Sequence, residues 1–112
     1  MTEKINVEHG IAQLQMLEQN LKSIEMQRQS MQMQLIESEN SLKELQDYKG
    51  KPYKIVGPVM IESDTEGLVR EITERVELVK VRLESIEKQE LQMRERFENI
   101  QNELMKHLQK NN

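Results

Sequence analysis

Two long apolar stripes, each repeating at alternating steps of three and four residues, leave this chain little choice of fold. The first runs through Val7, Gly10, Leu14, Leu17, Leu21, Ile24, Arg28, Met31, Leu35, Ser38, Leu42 and Leu45. The second runs through Val69, Ile72, Val76, Val79, Leu83, Ile86, Glu90, Met93, Phe97, Ile100, Leu104 and His107. Gly10, Arg28 and Ser38 interrupt the first, Glu90 and His107 the second. A 3.5-residue repeat holds a narrow seam on one side of a helix, and a second helix must cover it. Each arm holds about 40 residues, which predicts helices ~60 Å long at 1.5 Å per residue.

Between the arms the texture changes. Gly50 and Pro52 end the first helix, with Gly50 expected in a left-handed cap and Pro52 unable to continue the turn. The stretch from Tyr53 to Ile61 is rich in β-branched residues and is split by Gly57-Pro58, which predicts two strands of about four residues. Ser63-Asp64-Thr65-Glu66 matches a capping box, so Ser63 and Glu66 are expected to satisfy each other's backbone donors. So short a connection makes the arms antiparallel. A reversal at Gly57-Pro58 then sets Leu45 against Val69, Leu42 against Ile72 and Leu35 against Val79, seam on seam. In that register Arg28 lies opposite Ile86, one turn from Glu90. Either Arg28 and Glu90 pair across the helices and exclude slipped registers, or both extend to water. The expected fold is all-α dominated: a long antiparallel coiled-coil hairpin with one β-hairpin between its helices. It is a single domain over residues 1–112, with helices at about 5–48 and 64–109 and the β-hairpin at about 53–62.

Composition narrows the function. Phe97, Tyr48 and Tyr53 are the only aromatic residues and 32% of the chain is charged, which suits narrow seams better than a thick core. Without cysteine there is neither a disulfide framework nor a thiolate site. The apolar run from Ile55 to Ile61 is too short to span a bilayer, and the opening residues lack the build of a secretory signal, so a cytoplasmic protein is the default. A net charge of −4 gives no general attraction to nucleic acid or anionic membranes. His9 and His107, the only histidines, come to the same end of such a hairpin, but two histidines without a carboxylate cage make a thin ligand set. No phosphate-binding glycine motif or nucleophile–base arrangement is present, so no enzyme, cofactor or metal site is expected.

The uncovered β-hairpin reads as an assembly element, because two strands alone are marginal in water and expose both edges. The alternative is a turn packed back on its own helices. Tyr53, Ile55, Val56, Val59, Met60 and Ile61 are the candidate oligomerisation residues. The opposite end of the arms carries Val7, Ile11, Leu14, Ile100, Leu104 and Leu108, whose apolar surface could be offered to a partner as helix ends fray. Met16, Met26 and Met33 lie off the seam, either as soft contacts or simply as helix formers.

The segment Tyr53-Lys54-Ile55-Val56-Gly57-Pro58-Val59-Met60-Ile61 resembles the aromatic-Lys-apolar-apolar-Gly-Pro-apolar run of β-class prefoldin subunits. Arg82-Leu83-Glu84, Ile86-Glu87 and Glu90 are similar to the helix that follows it in that family. Two positions depart: Pro52 stands where an apolar residue is common, and Ser85 where an aromatic is frequent. The resemblance implies a hexamer of two α-class and four β-class subunits whose hairpins form a barrel platform. It also implies coiled-coil tips that hold unfolded chains without ATP and pass them to a group II chaperonin. Beside this holdase reading stand a structural coiled-coil spacer, which leaves the Tyr53–Ile61 insert without a purpose, and an arm of a nucleic-acid-handling complex, which the acidic balance disfavours.

Overall fold

A computed structural model describes the backbone of residues 2–110 and the side chains of residues 7–109. Helix α1 spans Thr2–Asp47, strand β1 Tyr53–Val56, strand β2 Val59–Glu62 and helix α2 Thr65–Lys110. The predicted architecture is therefore present, and its boundaries fall within a few residues of those read from the periodicity.

The connection between the helices differs in its chemistry from the expectation at two points. Gly50 is not a left-handed cap: among the described residues only Gly57 has a positive φ, at 58°. What Gly50 provides is space, since a Cβ there would stand 2.6 Å from the Tyr48 hydroxyl oxygen. The capping residue of α2 is Asp64, not Ser63. The Gly67 backbone N–H donates to Asp64 Oδ2 at 3.3 Å, and the Leu68 N–H donates to the Asp64 carbonyl at 3.1 Å as the first helical bond. The Ser63 N–H is already engaged, donating to the Pro52 carbonyl at 3.0 Å, so it cannot serve a capping box. That bond continues the strand ladder one pair beyond Tyr53↔Glu62.

The strands pair antiparallel as Tyr53↔Glu62, Lys54↔Ile61, Ile55↔Met60 and Val56↔Val59, leaving a two-residue turn at Gly57-Pro58. Proline cannot take the positive φ that a type I′ turn requires at its second central residue. With Gly57 at φ 58° and no cis peptide, the turn is type II′. Its twist matches that of the flanking strands, which is why a Gly-Pro pair in this order closes a tight hairpin.

The chain divides into two compact units. One pairs the part of α1 up to Gln29 with the part of α2 from Ser85 onward, and the other is Ser30–Glu84. In the first, Leu17, Ile24 and Ile86 are buried. Gly10 faces Leu104 so closely that a Cβ would meet Leu104 Cδ2 at 2.8 Å, as the expected register requires. In the second, Leu68, Val76, Val79 and Ser38 are buried, and Leu35, Leu42, Leu45, Val69 and Ile72 are half-buried. Every seam position of both stripes, polar interruptions included, is buried or half-buried.

Candidate interaction surfaces

The β-hairpin belongs to the Ser30–Glu84 unit and carries its two most exposed large apolar side chains among the described residues, Ile55 and Met60. Alternation along each strand puts Tyr53, Ile55 and Met60 on one face and Val56, Val59 and Ile61 on the other. All six are exposed, Ile55 to 71%. The sheet has two strands and so two open edges. Covering one such side chain is worth roughly 1.5–3 kcal/mol, so six of them offer a large incentive for association.

Lys54 fixes the hairpin to its own unit. Its Nζ donates to Glu71 Oε1 on α2 at 2.6 Å, and this bond holds the Glu71 carboxyl below its ordinary pKa against the opposing effect of burial. Lys51 and Glu62 form a second, more exposed pair at 2.9 Å. Beside Lys54 an open groove of about 590 Å³ lies between hairpin and helices, lined by Tyr48, Pro52, Tyr53, Ile55, Leu68 and Ile72 among others. Of the hairpin, Tyr53, Lys54 and Ile55 of β1 border this groove. Sequence reading missed the Lys54–Glu71 tie, because the approach of a strand residue to a helix turn is a tertiary fact.

In the other unit two of the seam interruptions, Arg28 and Glu90, meet. Arg28 Nε donates to Glu90 Oε2 at 2.7 Å, and Arg94 donates from its own helix to Glu90 Oε1 at 2.9 Å. The Glu90 side chain is only 10% exposed. Its carboxyl is held below the usual 4.5 by the Arg94 hydrogen bond first, with burial opposing and Arg28 adding to the lowering. Of the two sequence alternatives, the interhelical pair is the one present.

The six candidate contact residues of this unit separate into two kinds. Val7, Leu14, Ile100 and Leu104 are half-buried in the seam, whereas Ile11 and Leu108 are exposed. Met105 is exposed to 55% and was not singled out in the sequence. The signal was available, since Met105 and Leu108 lie three apart on a helix and share a face. His9 and His107 line one groove with Val7, Gly10, Gln13, Ile100, Glu103 and Leu104. Among the described residues no group of three or more His, Cys, Asp or Glu could hold a metal ion. No helix among them is long and apolar enough to cross a membrane.

Known proteins share this geometry. The family model described as prefoldin subunit matches residues 8–111. The chain is 35% identical over 100 residues to prefoldin subunit beta of Archaeoglobus fulgidus, covering 88% of this chain and 86% of that one. It is 35% identical over 104 residues to prefoldin subunit beta of Methanothrix thermoacetophila, covering 91% and 87%. The crystal structure of the prefoldin beta subunit from Thermococcus strain KS-1 is similar with a TM-score of 0.83 and 26% identity, over 89% of this chain and 90% of that one. Matched in sequence and in structure over nearly its whole length, the chain belongs to the prefoldin subunit family, among the beta subunits.

Proposed function

We propose that the chain is the β-class subunit of an ATP-independent holdase, a hexamer of four such chains and two α-class subunits. The observation that carries this is the hairpin: six exposed apolar side chains on both faces of a sheet with two open edges. Pairing through Tyr53, Ile55, Val56, Val59, Met60 and Ile61 with hairpins of other subunits satisfies the edges and covers both faces at once. The unit remote in sequence from the hairpin then offers Ile11 and Leu108, with Met105, to unfolded polypeptides. Val7, Leu14, Ile100 and Leu104 become available where the helix ends fray. Each contact is weak, and several subunits acting on one client combine by multivalency. Delivery of clients to a group II chaperonin, in the cytoplasm, completes the reading.

Native mass spectrometry on the complex captured from source cytosol by a tag on this chain tests it. A hexamer with four copies of this chain and two of a second hairpin protein is the expected result. A homodimer or a simple heterodimer would support the structural spacer instead.

A further inference from the structure

The β-hairpin joins the helices of its own unit through two short connectors, residues 48–52 after α1 and 63–64 before α2. The Ser63 N–H donates to the Pro52 carbonyl at 3.0 Å and ties the two connectors together where they meet the strands. A bond at the root of a two-stranded ribbon keeps the strands side by side, yet leaves the ribbon able to tilt about the line through that bond. Only a contact farther along a strand fixes the angle.

Apolar packing does not provide that contact. Tyr53, Ile55, Val56 and every residue of β2 are exposed, and the groove between β1 and the helices stands open. Lys54 is the exception: of the eight strand residues it alone is half-buried. Its Nζ donates to Glu71 Oε1 on α2 at 2.6 Å, and among the described residues no other hydrogen bond or ion pair joins a strand to a helix. Arg75, one turn beyond Glu71, also acts on that carboxylate and lines the same groove. Its interaction with Glu71 stays within one helix, so it neither holds the hairpin nor leaves Glu71 without a cation when Lys54 is removed.

We infer that Lys54 and Glu71 are positioning residues for assembly: their pair fixes the tilt of the hairpin on α2 and so presents its open edges and apolar side chains in the orientation that other hairpins accept. A hairpin free to tilt loses that freedom on joining a larger sheet, and the loss counts against association. A hairpin already held by Lys54 has less freedom to lose, and its edges are aligned before they meet a partner. The inference rests on the reading of the hairpin as the assembly element and adds to it the two residues that orient it.

The test is a competition for places in the complex captured from source cytosol by a tag on this chain. The captured complex is unfolded in urea and refolded with equal excess amounts of a full-length variant and of the unmodified chain carrying a heavy-isotope label. Native mass spectrometry then reads the ratio of the two chains in the product. Lys54→Met keeps the aliphatic stem and removes the charge, and Glu71→Ala removes the acceptor. Each is expected to be taken up roughly three- to tenfold less than the unmodified chain. Lys51→Met removes the exposed Lys51–Glu62 pair, which does not reach a helix, and is expected to change uptake less than about twofold. Lys54→Glu with Glu71→Lys restores a pair of the same summed length and should recover most of the loss. The urea midpoint of the Lys54→Met chain should match that of the unmodified chain, which separates orientation from folding. Equal uptake of Lys54→Met and the unmodified chain, or a loss matched by Lys51→Met or by a lowered urea midpoint, would overturn the inference. The assembly reading would survive that result, because the labelled chain still enters the complex. Capture of this chain without any other hairpin subunit would remove both.

Discussion

Glu90 shows how one polar residue in an apolar seam can set a register. A half-turn slip of either helix separates it from Arg28 and leaves a nearly buried carboxylate with Arg94 alone. A double-mutant cycle with Arg28→Ala and Glu90→Gln, read by urea denaturation, is expected to give a coupling of about 2 kcal/mol. Acid should have the same effect as the mutation. The native Glu90 carboxyl lies below 4.5, so its contribution is complete above that pH and is lost as the pH falls through the native value. Glu90→Gln should therefore flatten stability against pH below 4.5 and leave its slope near neutrality unchanged. Gly10 is a steric counterpart. Gly10→Leu drives a side chain into Leu104 and should cost about 1–3 kcal/mol, with Leu104→Ala in the same chain restoring part of the loss.

Among the elements, the hairpin and the start of α2 have separable determinants. A Cβ at Gly57 would meet nothing within 4 Å, so Gly57→Val tests conformation alone. Forcing a β-branched residue to φ 58° is expected to cost about 1–2 kcal/mol and to loosen the hairpin without disturbing the helices. Circular dichroism of the isolated subunit should then be unchanged while assembly weakens. At the helix start, Asp64→Ala should destabilise by about 1 kcal/mol and Ser63→Ala by much less, since only Asp64 accepts the Gly67 N–H. Equal effects of the two would return the cap to Ser63.

For the whole molecule, the proposed function assigns assembly and client binding to different units, so the two should be lost separately. Ile55→Asp with Met60→Asp puts charge on one face of the hairpin and is expected to yield a helical but unassembled subunit by native mass spectrometry. Trimming residues 1–14 and 103–112 should do the reverse, leaving assembly intact while aggregation suppression falls. Residues 1–6 and 110–112 of that trim lie outside the described side chains. Undiminished suppression after trimming would move the client surface to another part of the chain.

Local rules were enough for the two helices, the position of the β-hairpin and the facing seams, because heptad repeats and a Gly-Pro turn act over a few residues. They also brought Arg28 within a turn of Glu90, though not to a decision between pairing and exposure. Tertiary packing made that decision, by setting the Arg28 guanidinium 2.7 Å from a Glu90 carboxylate whose side chain is only 10% exposed. The same holds for Lys54 and Glu71, for the Leu104 side chain that occupies the space above Gly10, and for the cap at Asp64. The cap moved because the strand ladder reached Ser63 first and took its N–H for Pro52. Such outcomes depend on competition for one donor or one volume by groups distant in the chain, and periodicity along the chain carries no record of that competition.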